Sequence, residues 1–519
     1  RGLGDVYKRQ DCGMEQGNDV YENQELPVVA SDVDCILLTH AHIDHSGLIP
    51  LMYVNGFRGQ VYSTSATAQL CEIMLRDSAH IQMFEAEWRN RKAARSGGKL
   101  KEFVPLYDMD AAVNVCKQFV GCEYDKIYNI ADGIKIRFTD VGHLLGSASI
   151  EVWATEKTEN GDVTEKIVFS GDIGNINKPI IKDPKHVTDA DYVVMESTYG
   201  NRSHGGTPNY VEDLTNIFKR TFERGGNVVI PSFAVGRTQE LLYIIRKIKE
   251  DNLVGRDFDV YMDSPLAIEA TNIFIKNVES CFDDEAVELV RKGINPLSFP
   301  GLKYATTGDE SKQINFDPNP KVIISSSGMC EAGRIRHHLK HNLWRPECTI
   351  VFVGYQAVGT TGRIIVDGAE EIKLFGEPIQ IKAEIVQLKG SSGHADKDGL
   401  LCWINAFDRK PKKVFVVHGE DSVCDEFTEC LKEEYGYDAM APYTGGSYDL
   451  IADRVISEGV KERKTRRTTS TQRGKTVFDR LVAAGKRLMT VITHNEGGTN
   501  KDLAKFTDQI NALCDKWDR

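Results

Sequence analysis

Residues 34–45 read Asp-Cys-Ile-Leu-Leu-Thr-His-Ala-His-Ile-Asp-His, an apolar run followed at once by three histidines and an aspartate. The apolar run is typical of a buried strand. On a helix, His40 and His42 would point to different sides, but in a loop after a strand their rings can converge on one metal ion. The next pair, Asp44 and His45, can then face a second ion. We therefore expect a metal centre here rather than a surface histidine cluster.

Three further polar residues lie elsewhere in the chain: Asp11 before the histidines, and His143 and Asp172 after strand-like runs. Each has an ordinary explanation by itself, because a lone histidine is more often structural and a Gly-Asp pair is usually a turn. Their order along the chain, together with the His-x-His-x-Asp-His stretch, resembles the signature of the metallo-β-lactamase fold. That resemblance implies an αββα sandwich.

Later motifs narrow the resemblance to one branch. Glu196 ends another strand-like run, His394 lies in Ser-Ser-Gly-His-Ala-Asp, and His418 follows a further apolar run. This order, with a long segment between the first two motifs, is similar to that of the β-CASP nucleases. The resemblance covers about residues 11 to 453.

The fold class follows from both lines of reasoning. Short apolar runs alternate with longer amphipathic ones, which predicts an α/β protein, and the segment after residue 204 has its own strands and helices. We expect a metallo-β-lactamase αββα sandwich with an inserted doubly wound β-CASP domain. The expected divisions are a truncated or non-native start without a strand at 1–10, the metallo-β-lactamase domain at 11–204 and again at 387–453, the β-CASP domain at 205–386, and a basic linker with a helical extension at 454–519.

The resemblance also implies roles for the motif residues. One zinc ion would be held by His40, His42 and His143, and a second by Asp44, His45 and His418, with Asp172 bridging the two. His394 would act as the general acid or contact a phosphate, Glu196 would orient His394, and Asp11 would orient the metal loop. The expected catalytic residues are Asp44, Asp172, Glu196 and His394.

Weaker signals suggest contacts with substrate. Ser326 and Ser327 precede a helix-like run, where backbone N–H groups can bind an anion, although such a position is more often a structural cap. Arg237 could clamp a phosphate or equally pair with Glu240. Ser392, in the Ser-Gly-His-Ala motif, is a further candidate.

The third motif indicates the substrate class. Within the β-CASP family, a histidine at the position of His418 marks the RNA-processing members, whereas DNA-repair members have valine there. The resemblance therefore implies a zinc-dependent endoribonuclease of single-stranded RNA. The alternatives are a DNA nuclease of the same family, a small-molecule metallo-hydrolase and a noncatalytic RNA-binding scaffold.

The composition sets limits on partners. The 519 residues have a formal net charge of −12, which excludes a general basic coat for nucleic acid. Two basic segments, from Arg89 to Lys101 and from Lys461 to Lys475, could still guide RNA, although charge runs are usually solvated faces. No apolar run is long enough to span a membrane, and the 12 cysteines form no C-x-x-C pair, so we expect a cytoplasmic protein. A homodimer is left open.

Overall fold

The computed structural model describes most of the chain. The described residues are 8–14, 26, 28–95, 103–159, 161–203, 205, 209–388, 392–460, 481–482, 484–485, 488–489, 491–493, 495 and 499–517. The predicted basic segment from Lys461 to Lys475 lies outside them, as do Lys99 and Lys101. No helix among the described residues combines the length and apolar composition that a membrane span requires.

Two sheets face each other in the part of the molecule that contains the histidine-rich loop. The first is a parallel sheet in the order β1-β2-β3-β4, and the second has the order β19-β18-β9-β8-β7-β6-β5, antiparallel from β5 to β8 and parallel beyond. Their strands are β1 (Lys8–Gln10), β2 (Cys35–Leu37), β3 (Gln60–Thr64), β4 (Phe119–Cys122), β5 (Ile127–Ala131), β6 (Ile134–Asp140), β7 (Ala148–Thr158), β8 (Gly161–Phe169), β9 (Tyr192–Glu196), β18 (Lys413–Val417) and β19 (Ala439–Met440).

Successive side chains of a strand point to opposite faces of its sheet, so each strand contributes to two layers of packing. In β2, Cys35 and Leu37 pack against Phe138 of the second sheet, whereas Ile36 lies in a cluster with the helix that contains Leu70. The outer helices here are α1 (Ile43–Ser46), α2 (Ile49–Val54), α3 (Ser65–Arg95), α4 (Met109–Cys116), α13 (Lys397–Ile404) and α14 (Asp421–Glu433). The result is the expected helix–sheet–sheet–helix order.

A separate six-stranded parallel sheet lies between β9 and β18 in the chain, with the order β12-β11-β13-β10-β14-β17. Val228 and Ile230 pack on one face and Val229 on the other, and both faces are covered by helices, as in a doubly wound fold. Its strands are β10 (Val228–Pro231), β11 (Asp259–Met262), β12 (Leu302–Tyr304), β13 (Lys321–Ser325), β14 (Thr349–Phe352) and β17 (Glu384–Gln387). The helices are α5 (Tyr210–Glu223), α6 (Arg237–Glu250), α7 (Pro265–Lys276), α8 (Val278–Cys281), α9 (Asp284–Arg291), α10 (Gly308–Phe316), α11 (Ile335–Asn342) and α12 (Thr361–Val366).

Two hairpins and a helix lie outside these sheets, and Ala30–Asp32 forms a 3₁₀ turn before β2. The hairpins are β15 (Glu371–Leu374) with β16 (Glu377–Gln380) and β20 (Ser447–Asp449) with β21 (Arg454–Ser457), and the helix is the C-terminal α15 (Asn500–Trp517).

The start of the chain differs from expectation. We expected no strand before Asp11, but Lys8–Gln10 forms β1 and pairs in parallel with Cys35–Leu37. The segment is too short to show alternation in the sequence, and the neighbouring strand supplies its hydrogen-bond partners.

Candidate metal centre

The histidine-rich loop is fixed by the carboxylate of Asp11. Its Oδ1 accepts a hydrogen bond from the backbone N–H of Thr39 at 2.8 Å, and its Oδ2 accepts from the Thr39 hydroxyl at 2.8 Å. Oδ2 also lies 2.8 Å from His45 Nδ1. When Nδ1 donates to Asp11, the lone pair of His45 Nε2 faces the centre of the site. Asp11 thus orients both the loop and one of its imidazoles.

The first group of candidate ligands consists of His40, His42, His143 and Asp172, whose ligand atoms all lie within 4.8 Å of one another. His42 Nδ1 is 3.1 Å from His40 Nε2 and 3.2 Å from His143 Nε2. Asp172 Oδ2 lies 3.4 Å from His40 Nε2 and 3.5 Å from His143 Nε2. Residues from three separate loops therefore converge on one point.

The second group contains Asp44, His45 and His418, again with ligand atoms within 4.8 Å of one another. Here the other oxygen of Asp172 is the common neighbour: Oδ1 lies 3.2 Å from His45 Nε2 and 3.4 Å from His418 Nε2. His418 adopts φ 52°, a left-handed conformation that only a few per cent of non-glycine residues adopt. One buried carboxylate thus faces both groups.

The arrangement fits metal ions better than a closed hydrogen-bond network. His45 Nε2 and Asp172 Oδ1 are buried and have no hydrogen-bond partner among the described residues, which would be costly unless something else satisfies them. Burial lowers the pKa of His40 and of His143 well below the ordinary value, which leaves neutral imidazoles suited to ligation.

The charge balance of the site points the same way. Burial would raise the pKa of Asp172, but the surrounding histidines outweigh it and hold that pKa well below its ordinary value. Burial would lower the pKa of His45, but Asp172 and Asp11 outweigh it and raise that pKa well above its ordinary value. The negative field that attracts a proton to His45 would equally attract a cation.

Beside these groups, Glu196 and His394 form a pair. His394 Nδ1 lies 3.2 Å from Glu196 Oε2, and Glu196 Oε1 accepts a hydrogen bond from the backbone N–H of Ile173 at 2.5 Å. Burial acts against protonation of His394, but Glu196 and Asp172 raise its pKa to about 9. Ser392 Oγ accepts from the backbone N–H of His394 at 3.1 Å, so this side chain holds the histidine in place.

Lys178 was not singled out in the sequence. Its Nζ donates to the backbone carbonyl of His143 at 2.9 Å and lies 3.4 Å from Glu240 Oε1. Glu240 Oε2 in turn pairs with Arg237 at 2.5 Å, so the second of the two roles weighed for Arg237 is present. A contact with a main-chain oxygen depends on tertiary structure, and no spacing in the sequence marks it.

The serine-rich loop differs from expectation in one respect. We expected Ser326 and Ser327 to lie at a helix N-terminus, but α11 begins only at Ile335. The residues between form an irregular loop, and Ser326 Oγ hydrogen bonds with Ser264 Oγ at 2.8 Å. The helix therefore begins eight residues after Ser327.

The basic run on α3 is partly neutralised. Arg89 pairs with Glu85 at 3.6 Å and Arg91 with Glu87 at 3.8 Å, one helical turn earlier in each case. These acidic partners weaken its suitability as an RNA guide.

Models of known protein families match three consecutive parts of the chain. Three family models match: a metallo-beta-lactamase superfamily domain at residues 9–176, a Beta-Casp domain at 238–365, and a Zn-dependent metallo-hydrolase RNA specificity domain at 378–442. A relative from Thermus thermophilus named Ribonuclease TTHA0252 is 35% identical over 412 residues, which cover 79% of this chain and 87% of that protein. The chain belongs to the β-CASP branch of the metallo-β-lactamase superfamily. The expected family, fold class and enzyme class, a metal-dependent phosphodiester hydrolase, are confirmed.

Other similar proteins have different names. Transcription termination factor FttA of Methanosarcina mazei is 31% identical over 446 residues, 83% of this chain and 66% of that protein. An RNase J-like protein of Methanocaldococcus jannaschii is 31% identical over 415 residues, 79% of this chain and 86% of that protein. The β-CASP family implies metal ions, and the two candidate ligand groups could hold them.

Proposed function

We propose that this protein is a zinc-dependent endoribonuclease that hydrolyses phosphodiester bonds of single-stranded RNA in RNA processing or decay. The observation that carries the proposal is the convergence of two candidate ligand groups on the carboxylate of Asp172, beside the Glu196–His394 pair. The relatives named as ribonucleases support RNA as substrate. The matched RNA specificity domain, which contains His394 and His418, supports it too.

Two zinc ions are the proposed cofactors. The histidine nitrogens and the few carboxylate oxygens are the donors that zinc prefers. When bound, two such ions activate water and neutralise charge on a phosphodiester. The proposed ligands are His40, His42 and His143 for one ion and Asp44, His45 and His418 for the other, with Asp172 shared.

The protein itself would supply the proton for the leaving oxygen. His394 Nδ1 faces Glu196, and the other ring nitrogen, Nε2, is the proposed proton donor toward substrate. Glu196 favours the protonated ring and fixes its orientation, while its second contact, with Ile173 N, anchors the carboxylate. Catalysis by this pair should therefore depend on both side chains.

The remaining contacts and divisions are also proposals. Ser326, Ser327 and Arg237 are proposed phosphate contacts, and Ser392 is proposed to act through His394. We also propose the domain limits 11–204, 205–386 and 387–453, with the first extended to Lys8 to include β1 and the second to Gln387 to include β17, and a cytoplasmic location.

The test uses purified protein and an unstructured RNA oligomer with zinc present. We expect Asp172→Asn and His394→Ala to lose cleavage, whereas His341→Ala, a histidine on the exposed part of α11, should match the parent. Equal cleavage by the parent and both site variants would show that the site assignment is wrong. Hydrolysis of a thioester or lactam with RNA left intact would overturn the functional proposal.

A further inference from the structure

The carboxyl edge of the six-stranded sheet presents two exposed aromatic rings. Phe233 follows β10 and is 46% exposed, and Tyr355 follows β14 and is 49% exposed. β10 lies between β13 and β14, and all three strands are parallel, so their following loops leave the same edge. In doubly wound sheets this edge is where ligands bind.

The main chain at Phe233 is fixed by hydrogen bonds, while its ring stays open to solvent. Its carbonyl oxygen accepts from Thr238 Oγ1 at 2.7 Å and from the Ser232 hydroxyl at 3.2 Å. A Cβ added at Gly328 would lie 3.1 Å from Cδ2 of the ring, so the ring packs closely against the neighbouring loop. A Cβ at Gly354 would lie 4.0 Å from Cε2 of the same ring. A fixed and exposed flat ring is the geometry of a stacking platform.

This edge approaches the loop that contains His143. A Cβ at Gly236, three residues after Phe233, would lie 3.0 Å from Cδ1 of Leu144, the neighbour of His143. On the other side, Phe352 at the end of β14 pairs with Gln387 at the end of β17, seven residues before His394. The loops that contain the two rings therefore lie beside a loop of the candidate metal centre.

We propose that Phe233 and Tyr355 form a stacking platform for the bases of the single-stranded RNA that flank the cleavage position. The proposal rests on the proposed function for its substrate class. Base stacking is tolerant of sequence, because every base has a flat face. The serine hydroxyls that follow β13 lie at the same sheet edge, so they offer polar groups to the RNA backbone alongside the rings.

The test measures RNA affinity in the presence of chelator, so that binding is read without cleavage. The probe is a fluorescently labelled single-stranded RNA oligomer and a matched oligomer of abasic ribonucleotides. We expect Phe233→Leu and Tyr355→Leu each to weaken binding of the intact RNA by about 5- to 100-fold, while Phe233→Trp and Tyr355→Phe bind as the parent does. The slope of affinity against salt should not change, because no phosphate contact is removed.

The abasic oligomer separates stacking from a structural role. The parent should bind it at least as weakly as either leucine variant binds intact RNA, and the leucine variants should bind it as the parent does. Equal affinity of parent and leucine variants for intact RNA would overturn the platform and leave this face to a protein partner. An equal loss on both oligomers, or no RNA binding by the parent, would overturn it as well. A parent that binds RNA through these rings but never cuts it with zinc would instead refute the proposed function alone.

Discussion

Asp140 is buried at the end of β6, three residues before His143, and the substitution Asp140→Asn should stabilise the protein above neutral pH. Burial raises the pKa of this carboxyl from 3.8 to about 7. Its Oδ1 accepts a hydrogen bond from the backbone N–H of Gly142 at 3.0 Å, which the asparagine oxygen can also accept. The substitution therefore removes the buried charge and keeps the contact.

The sign follows from linkage. The unfolded chain releases this proton near pH 4 and the folded protein only near pH 7, so the parent loses stability as pH rises between those values. Each pKa unit is worth about 1.4 kcal/mol. The raised pKa of Asp140 therefore lowers the folding stability of the parent by about 4 kcal/mol above pH 7. At pH 5, where only the unfolded chain is ionised, the loss is about 1.6 kcal/mol. The gain from Asp140→Asn should thus grow by about 3 kcal/mol between pH 5 and pH 8.

Urea unfolding at the two pH values measures this difference. Chelator is present throughout, so that metal binding does not add its own pH dependence. Any fixed cost of burying the amide cancels, because only the change with pH is compared. Asp132→Asn, which removes the same charge from an exposed turn, serves as the control and should show no such change. A gain for Asp140→Asn that is the same at pH 5 and pH 8 would refute the reasoning.

Three other predictions address the site. His394→Ala should lower the RNA cleavage rate by about 10²- to 10⁴-fold with zinc content unchanged by elemental analysis, and a parallel loss of zinc would contradict the proton-donor role. Lys178→Met should weaken zinc binding about 10- to 100-fold, measured by competition with a chromophoric chelator, because the His143 carbonyl loses its hydrogen-bond donor. Lys178→Arg keeps a donor and serves as the control. Equal zinc affinities of the two variants would contradict this role. Chelation should lower the melting temperature of the parent but not that of Asp172→Asn. A ligand at about 100 times its dissociation constant adds about 2.7 kcal/mol to the free energy of unfolding, and chelation removes this gain. A parent that melts at the same temperature with and without chelator would contradict metal binding.

Local patterns in the sequence predicted much of the fold. The apolar run before His40 contains a strand, and strands alternate with helices along much of the chain, as the alternation of short and longer runs predicts. The histidines of the loop were predicted from residue spacing, because ligands at i and i+2 in a loop need no distant information. The pairing of Glu196 with His394, 198 residues apart, was inferred only from family resemblance.

Other features depend on tertiary contacts that leave no sequence pattern. Lys178 was missed because its partner is a main-chain oxygen of His143. The exposure of Phe233 was missed because it depends on how distant loops fold around the sheet edge. The strand at Lys8–Gln10 was missed because a three-residue edge strand is formed by its neighbour rather than by its own composition.

Cleavage of single-stranded RNA labelled at either its 5′ or its 3′ end, before and after chelation and again after zinc is restored, tests the central claim most directly. A metal-dependent endoribonuclease should yield complementary labelled fragments from the two substrates, lose them with chelator, and regain them with zinc. RNA that stays intact when the protein has bound zinc, or cleavage that continues after complete metal removal, would contradict the proposed function.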